Sequence, residues 1–249
     1  MRESIQQFVE NMLPYERNLF FLLNGSDFAM LDRLMWTISM TQIWFPLYLF
    51  VMFVVFFKTP VKQSLIVTFV FILLVTLCDQ FAASVTRPFF ERYRPGHHPD
   101  FNELALMVGC RRGSVFGFVS AHATNVFGFA TMLWLVFRHK WVTLVAFTWA
   151  AAIGYSRIYL GRHFITDVLG GIIAGMLIAF ALYYLLLVPL RKKVLKLKKS
   201  EKYNMYAPQN GKILWIGFLA YFVGVIIYSL LFAGQPVVCC GCHLQPIGS

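Results

Sequence analysis

One histidine and one aspartate stand at a spacing that suits nucleophilic chemistry. His163 and Asp167 lie four residues apart at the start of a long apolar stretch. Side chains at this spacing share one face of a helix and can touch. The aspartate can then hold one imidazole nitrogen, so the tautomer is fixed and the other nitrogen presents its lone pair outward. The spacing therefore predicts a histidine nucleophile held by an aspartate.

Arginines surround this pair in the sequence. Arg87 and Arg94 lie in the 86–114 segment, and Arg157 precedes His163 in the same short turn. A guanidinium presents a planar set of donors that matches phosphate oxygens, and it stays protonated at physiological pH. Arginines that converge from separate loops therefore predict a phosphate or diphosphate site. Contacts with lipid head groups explain a second group at least as well. That group comprises Arg17, Arg92, Arg111 and Arg112.

A third candidate cluster is Ser120, Ala121 and His122, at the start of another apolar segment. Backbone amides at a helix N-terminus form a natural anion site. An imidazole placed there can protonate a leaving oxygen and can later take a proton from water. The cluster therefore predicts anion binding combined with general acid and base chemistry.

Three motifs carry these residues in a fixed order. They are Arg87-x6-Arg94-Pro95, Ser120-Ala121-His122 and Ser156-Arg157-x5-His163-x3-Asp167. Together they resemble the signature of the type-2 phosphatidic acid phosphatase (PAP2) superfamily, which also includes bacterial acid phosphatases and vanadium haloperoxidases. The resemblance covers the apolar stretch from residue 38 to residue 190.

The resemblance implies a role for each motif residue. His163 would attack phosphorus and form a phosphohistidine, Asp167 would orient it, and His122 would act as general acid and base. The remaining motif residues would bind the phosphate and stabilise its charge in the transition state. They are Arg87, Arg94, Ser120, Ala121 and Arg157. Because arginines meet the phosphate charge, we expect neither a metal nor a cofactor.

Two of the motifs depart from the usual pattern, at three positions. Arg87 stands where the family usually has lysine, which keeps the charge but changes the geometry of the donors. Val119 and Ala121 replace the usual proline and glycine around Ser120. Alanine is small enough for a close backbone approach, so we expect activity to be retained.

The composition indicates where such a site lies. Apolar residues make up 59% of the 249 residues, charged residues make up only 13%, and the formal net charge is +11. So little polar surface argues against a soluble globule, a disordered chain or a disulfide-rich secreted domain. A basic balance on an apolar chain predicts an anionic lipid partner rather than nucleic acid.

Six segments approach the roughly 20 apolar residues that a spanning helix needs. They are Ile38–Phe57, Ser64–Val85, Val115–Phe137, Trp141–Tyr155, Phe164–Leu190 and Ile213–Phe232. The fourth is short unless it continues through Arg157 toward Leu160. Pro46 is expected to kink the first. The pattern predicts an all-α polytopic membrane bundle, with an N-terminal amphipathic segment in the membrane interface.

Lysines and arginines are dense between the fifth and sixth spans, and such loops favour the cytoplasm. Counting back places the loops 86–114 and 156–163 outside. The expected organisation is an interfacial segment, a catalytic membrane domain, a basic cytoplasmic loop, and an extra span with its tail. These units cover residues 1–41, 38–190, 191–212 and 213–249.

Other residues with reactive side chains give no pattern of a metal site. Glu91, Asp100 and Glu103 are scattered, and His97 and His98 are expected to be solvated loop residues. Cys78 lies in a span, where we expect it only to pack. The sequence leaves open whether Cys110 forms a disulfide with a cysteine of the C-terminal tail. The tail cysteines are Cys239, Cys240 and Cys242.

The resemblance implies a membrane lipid phosphatase. The short loops and the distribution of basic residues predict a bacterial inner membrane, with the site facing the periplasm or the cell exterior. The leading expectation is conversion of undecaprenyl diphosphate to the monophosphate. Lipid A, phosphatidylglycerophosphate and phosphatidate are alternative substrates. A lipid-linked phosphotransferase and a non-catalytic lipid-phosphate binder are alternatives of another class, and the oligomeric state stays open.

Overall fold

A computed structural model describes residues 2–26, 28–109, 113–196 and 205–231. Within these ranges the chain is helical, and the only β pairing is an isolated bridge between Tyr93 and Phe116. The prediction of an all-α fold is therefore confirmed for the described residues. Cys110, Arg111, Arg112 and the tail cysteines lie outside them.

Eleven α-helices are named here in chain order. They are α1 (Arg2–Glu10), α2 (Leu13–Leu23), α3 (Ala29–Ser39), α4 (Phe45–Phe56), α5 (Val61–Gln80), α6 (Arg87–Phe90), α7 (Ala121–Phe137), α8 (Lys140–Tyr159), α9 (Ile165–Ala181), α10 (Val188–Leu195) and α11 (Pro208–Leu231). Short 3₁₀ turns lie at Thr41–Trp44 and Pro95–His97, and π-helical turns lie at Phe81–Thr86 and Leu182–Leu187. The π-turns join α5 to α6 and α9 to α10, so each of these pairs forms one long helix.

Three helical stretches in the described residues are long and apolar enough to cross a membrane: Val61–Phe90, Ile165–Leu195 and Pro208–Leu231. Ala29–Ser39 and Thr41–Phe56 make a fourth if they are counted as one broken span. Length and composition thus support three or four spans, and the six predicted spans stay a proposal. The predicted continuation of the fourth segment past Arg157 is correct, because α8 ends at Tyr159.

The first predicted span breaks at a place that the sequence did not indicate. The two helices bend by 65° at Met40, whose backbone is extended. Pro46 was expected to be the kink, but it lies in the first turn of α4, where its missing N–H costs no hydrogen bond. The break therefore precedes the proline and places Ser39 and Thr41 at an interruption of the helix.

The third predicted span also begins later than expected. α7 starts at Ala121 rather than Val115. The residues before it run beside residues 92–94, because Arg94 N–H donates to Val115 C=O (3.0 Å) and Gly117 N–H donates to Arg92 C=O (2.9 Å). These two bonds hold the backbone extended, so the helix cannot start at Val115.

The centre of the bundle is the contact between α7 and α9. α7 is buried on nearly all sides. Gly171 lies against its N-terminal turn, where an added Cβ would be 2.7 Å from the Ser120 carbonyl oxygen. Gly170 faces Val119 at a similarly short range. These glycines thus allow the close helix contact, as small residues do between membrane helices.

The helix boundaries at the basic end of the bundle differ from those predicted. α10 continues through Arg191 to Leu195, and Lys212 lies within α11, so both ends of the predicted basic loop 191–212 are helical. Residues 197–204 lie outside the described part of the chain. Cys78 is fully buried and unpaired in the α5 core, as expected for a packing residue.

Candidate active site

His163 and Asp167 meet at the N-terminus of α9. His163 lies in the turn before the helix, and Asp167 lies in the helix's first turn. Asp167 Oδ2 accepts a hydrogen bond from the backbone N–H of Phe164 (3.0 Å) and lies 3.4 Å from His163 Nδ1. His163 is 1% exposed and Asp167 is fully buried. The contact at Nδ1 leaves Nε2 as the nitrogen available for attack.

The surroundings of His163 favour its neutral form. Burial lowers the pKa of His163 well below its usual value, and the positive charges of Arg94 and Arg157 lower it further. An imidazole must be neutral to attack phosphorus, because protonation removes the lone pair. The arginines that can bind a phosphate therefore also keep the adjacent histidine nucleophilic.

The three predicted phosphate-binding arginines line one cavity with His122 and His163. Arg87 lies on the helical turn α6 rather than in a loop, which corrects the sequence prediction. Arg94 donates through Nε to the Phe116 carbonyl oxygen (3.2 Å). Arg157 donates to the Ser39 hydroxyl. Backbone and hydroxyl acceptors thus hold two of these guanidiniums in fixed orientations.

These arginines have charge available for a ligand. Among the described residues, no carboxylate forms an ion pair with Arg87, Arg94 or Arg157. Burial lowers the pKa of Arg94 to about 10, and the neighbouring charges of Arg87 and Arg162 contribute to that decrease. Arg94 and Arg157 are buried and Arg87 is half-buried. Like charges that form no ion pair within the described part of the chain favour binding of an anion.

Ser120, Ala121 and His122 form the N-terminal end of α7, as predicted. Ala121 and His122 line the cavity, whereas Ser120 does not. The Ser120 backbone N–H donates to the Asp167 carbonyl oxygen (2.9 Å), and its buried hydroxyl has no hydrogen-bond partner among the described residues. His122 Nε2 lies 3.4 Å from the hydroxyl of Thr41. The structure therefore brings His122 to the cavity and places Ser120 behind it.

For Arg92, contact with lipid head groups was expected to be at least as good an explanation as a role in the site. This expectation is wrong. Its side chain is fully buried. NH1 donates to Asp167 Oδ1 (2.7 Å) and NH2 donates to Glu16 Oε1 (2.5 Å). Burial alone would lower the pKa of Arg92, but the carboxylates of Asp167 and Glu16 raise it above its usual value. Arg92 is thus an internal cation that supports the catalytic pair.

The sequence did not indicate four further residues of the site, which are Glu16, Ser39, Thr41 and Gly117. Glu16 was detectable in principle, because it lies on the apolar face of α2 with Leu13 and Phe20. An acidic residue on a buried stripe needs a partner inside the protein. Ser39 and Thr41 carried no comparable signal in the sequence.

Gly117 lies directly against the catalytic pair. A Cβ added there would be 3.2 Å from Asp167 Oδ2, 3.4 Å from His163 Nδ1 and 2.8 Å from Arg94 Cγ. Only a residue without a side chain fits between these three groups. The glycine therefore allows the extended segment before α7 to form a wall of the site.

His98 was predicted to be a solvated loop histidine, and this is also wrong. It is 8% exposed and packs edge-on against Phe101. Its Nε2 lies 3.3 Å from Glu10 Oε2, and its Nδ1 accepts a hydrogen bond from the backbone of Asp100. His98 therefore ties α1 to the loop that follows α6. No group of three or more metal-ligating side chains is present in the ranges that the structure describes.

The cavity has a volume of about 830 Å³ and two kinds of wall. The histidines and arginines lie at one end, beside the polar side chains of Asp79 and Asn125. The remaining wall is apolar and aromatic, formed by residues that include Tyr48, Phe71 and Phe129. A molecule with a phosphate at one end and hydrocarbon at the other matches this division.

Comparison with known proteins agrees with this chemistry. The family model described as the PAP2 superfamily matches residues 65–189. A lipid A 4'-phosphatase of Porphyromonas gingivalis is 39% identical over 175 residues, which cover 70% of this chain and 74% of that protein. A lipid A 4'-phosphatase of Bacteroides thetaiotaomicron is 29% identical over 233 residues, or 90% of this chain and 99% of that protein.

A shorter similarity concerns a different substrate. A putative undecaprenyl-diphosphatase of Escherichia coli is 40% identical over 60 residues, which cover 24% of this chain and 30% of that protein. No solved structure matches the chain. The motif residues meet in one arginine-lined cavity between apolar helices, and a family match covers half of the sequence. The chain belongs to the PAP2 superfamily and is a membrane lipid phosphatase of that type.

Proposed function

We propose that this protein removes the 4'-phosphate of lipid A or of a closely similar acylated glycolipid. The observation that carries this proposal is the extent of similarity to two lipid A 4'-phosphatases, one of which is matched over 99% of its length. Undecaprenyl diphosphate was the leading expectation from the sequence, but the similarity to the E. coli protein spans only 60 residues. An undecaprenyl-diphosphatase of Sulfolobus acidocaldarius matches over 175 residues at 25% identity, against 39% over the same length for the P. gingivalis lipid A 4'-phosphatase. The order of these two candidates is therefore reversed.

The cavity supports a sugar head group. Thr76, Asp79, Gln80 and Asn125 line it near the arginines. Hydroxyl, amide and carboxylate side chains can bond the hydroxyls and amides of an acylated glucosamine, whereas a prenyl diphosphate offers no such groups beyond its phosphates. An intramembrane acid such as Asp79 is costly in lipid and usually serves a function. The apolar wall would hold acyl chains.

The proposed reaction has two steps. His163 Nε2 attacks phosphorus, the P–N bond forms as the P–O bond to the sugar breaks, and His122 gives a proton to the leaving oxygen. Arg87, Arg94 and Arg157 hold the non-bridging oxygens. Water activated by His122 then cleaves the phosphohistidine and releases inorganic phosphate. Each step uses only this chain's side chains and water.

The proposed placement is an inner membrane, with the site facing the periplasm and six helical spans. The lysines that follow α10 favour the cytoplasm for the opposite end of the bundle. α2 would lie in the outer interface, because Tyr15 and Leu22 on its outward face are 92% and 78% exposed, while Glu16 and Phe20 face the protein. These exposures support the proposal of an amphipathic segment in the membrane interface.

The test is phosphate release by purified protein in detergent with a chelator. Lipid A, undecaprenyl diphosphate, phosphatidylglycerophosphate and phosphatidate are compared, and mass spectrometry locates the phosphate that lipid A loses. We expect the highest kcat/KM with lipid A, loss at the 4'-position, and no release by His163→Ala. A preference for undecaprenyl diphosphate would contradict the proposed substrate. Transfer of phosphate to an acceptor lipid without free phosphate would indicate a phosphotransferase, and binding without turnover would indicate a binder.

A further inference from the structure

A buried carboxylate from the N-terminal segment reaches the rear wall of the active site. Glu16 lies on α2 and is 6% exposed. Its Oε1 accepts hydrogen bonds from Arg92 NH2 (2.5 Å) and the Thr166 hydroxyl (2.7 Å), and its Oε2 accepts one from the Thr166 backbone N–H (2.8 Å). Both carboxylate oxygens are thus bonded to groups directly behind Asp167.

Arg92 joins Glu16 to the catalytic pair. Its NH1 donates to Asp167 Oδ1 (2.7 Å) and to the Thr166 hydroxyl (2.5 Å), and its guanidinium lies 4.9 Å from the centre of the Phe164 ring. The other oxygen of Asp167 faces His163 Nδ1. A continuous chain of charged and polar contacts therefore runs from Glu16 through Arg92 and Asp167 to His163.

The chain has a physical reason to need Glu16. A guanidinium presents several donors along different edges, and a buried donor without an acceptor is costly. With Asp167 as its only carboxylate, Arg92 would have an unmatched edge inside the protein. It would then tilt toward other acceptors and carry the Asp167 carboxylate with it. Glu16 removes this freedom by holding the second edge.

We propose that Glu16 is a positioning residue for phosphate hydrolysis, which fixes Arg92 and through it the Asp167–His163 pair. Glu16 lies outside the residues 65–189 that the family model matches, so it is not part of the shared motif set. It does not line the catalytic cavity. The inference rests on the proposed function in one respect, the assignment of His163 as nucleophile.

The first test is Glu16→Gln, which keeps the size of the side chain but turns one acceptor oxygen into a donor. That donor must face Arg92 or Thr166, both of which also donate. A misplacement of catalytic groups by a fraction of an ångström to one ångström costs up to about 10²-fold, so we expect kcat to fall by about that factor. KM should change by less than about threefold, because uniform substrate binding is untouched.

The matched control is Glu10→Gln. Glu10 also lies in the N-terminal segment and forms a partly buried contact, but its partner is His98 rather than Arg92. A merely structural loss of one buried carboxylate should affect both variants alike. We expect Glu10→Gln to retain wild-type kcat per folded molecule, with folding measured by thermal unfolding and by elution in detergent. Equal kcat in the two variants overturns the proposal.

A double-variant cycle tests whether Glu16 acts through Arg92. Residues of one network show non-additive effects, whereas independent sites add. We expect Glu16→Gln with Arg92→Gln to be as slow as Arg92→Gln alone. We also expect the ¹⁵N shifts of His163 to show a mixture of tautomers in Glu16→Gln and a single tautomer in the wild type. Additive losses, or an unchanged tautomer, overturn the proposal.

Thr166→Val gives a second variant if Glu16→Gln does not fold. It keeps the Glu16 charge and removes only the hydroxyl that bridges Glu16 and Arg92. We expect kcat to fall about 3- to 10-fold, the loss of one hydrogen bond, with KM unchanged. Wild-type kcat here overturns the proposal. If the wild type itself hydrolyses no lipid phosphate, or if His163→Ala remains active, the proposed function has failed instead.

Discussion

The motif-bearing elements between residues 87 and 167 and the N-terminal segment of residues 1–41 both reach the active site, but they bring different side chains to it. The first region supplies the two histidines and the arginines that line the cavity. The second supplies Glu16, Ser39 and Thr41, which contact Arg92, Arg157 and His122 respectively. One region thus carries the histidines and arginines, and the other carries groups that hold them. Two of these supporting residues, Ser39 and Thr41, also line the cavity.

This division explains why a short motif can be shared widely while its surroundings vary. A nucleophile and its phosphate clamps must keep their chemical type, because the reaction depends on it. A supporting contact needs only an acceptor at the right place, which many segments can supply. The N-terminal segment lies outside residues 65–189, which the family model matches.

The largest expected effect comes from the motif region. His163→Ala removes the proposed nucleophile, and nucleophile deletions in covalent hydrolases cost about 10⁴-fold or more in kcat. We expect phosphate release to fall at least that far, with folding unchanged, and acid-labile phosphate on the protein to disappear in rapid-quench experiments. His97→Ala is the control, because His97 contacts only the Gly113 carbonyl in the adjoining loop. A phosphorylated protein in the His163→Ala sample would contradict the assignment.

Arg94→Gln comes next and has two readouts. Removing one donor that stabilises the transition state costs about 10²- to 10³-fold in kcat. The acid limb of kcat/KM should also move to higher pH. Burial and the charges of Arg94 and Arg157 hold the pKa of His163 well below its usual value, and neutral His163 is the active form. Without the Arg94 charge, protonation occurs at a higher pH, so activity is lost earlier as the pH falls.

The control for this shift is Arg17→Gln. Arg17 lies over the Phe101 ring and does not line the cavity. The substitution Arg17→Gln removes one positive charge without changing the residues that line the cavity. The wild type, Arg94→Gln and Arg17→Gln act on the same substrate, so substrate ionisation contributes equally to their pH profiles of kcat/KM. A difference between these profiles therefore arises from the enzyme. An acid limb that stays in place, or moves to lower pH, would show that Arg94 does not act on His163.

Gly117→Ala tests the packing inside the motif region and should cost about 10²-fold in kcat, as expected for catalytic groups displaced by up to an ångström. The added Cβ would lie 2.8 Å from Arg94 Cγ and 3.2 Å from Asp167 Oδ2, so at least one of them must move. The matched control is Gly224→Ala on α11, where nothing lies within 4 Å of an added Cβ. Equal activities of the two variants would mean that the wall can relax.

The sequence predicted the motif region well because its signals are local. A four-residue spacing reports a shared helix face, and long apolar runs report helices that cross or approach a membrane. The supporting contacts are not local. Glu16 and Arg92 are 76 residues apart, and Ser39 and Arg157 are 118 residues apart. Such pairings depend on the tertiary packing of the bundle, which periodicity does not encode.

The two errors in helix boundaries have the same origin. Residues 38–46 are uniformly apolar except for a few hydroxyl and amide side chains, so the break at Met40 gives no signal, and Pro46 was the only visible candidate. Val115 and Phe116 are apolar, but backbone bonds to residues 92–94 hold them extended. In both places a tertiary contact overrides a local preference and shapes a wall of the active site.

Thr41→Val is the smallest expected effect and the finest test of the comparison. The variant keeps the shape of Thr41 and removes the hydroxyl 3.4 Å from His122 Nε2. One hydrogen bond of about 0.5–1.5 kcal/mol corresponds to about 2- to 10-fold in kcat. Thr143→Val, which loses only a bond to the His139 carbonyl at the far end of α8, is the control.

Substrates with different leaving groups show whether the lower kcat of Thr41→Val comes from proton transfer or from phosphate binding. If Thr41 orients His122 as general acid, the defect depends on the need to protonate the leaving oxygen. A sugar phosphate has a poor leaving group and should show the full loss. An aryl phosphate with an acidic phenol leaves without protonation, so Thr41→Val and the wild type should hydrolyse it at the same rate. A loss of equal size on both substrates would instead place the effect on phosphate binding. Thr41 would then belong with Ser39, which supports a phosphate clamp, rather than with the proton transfer.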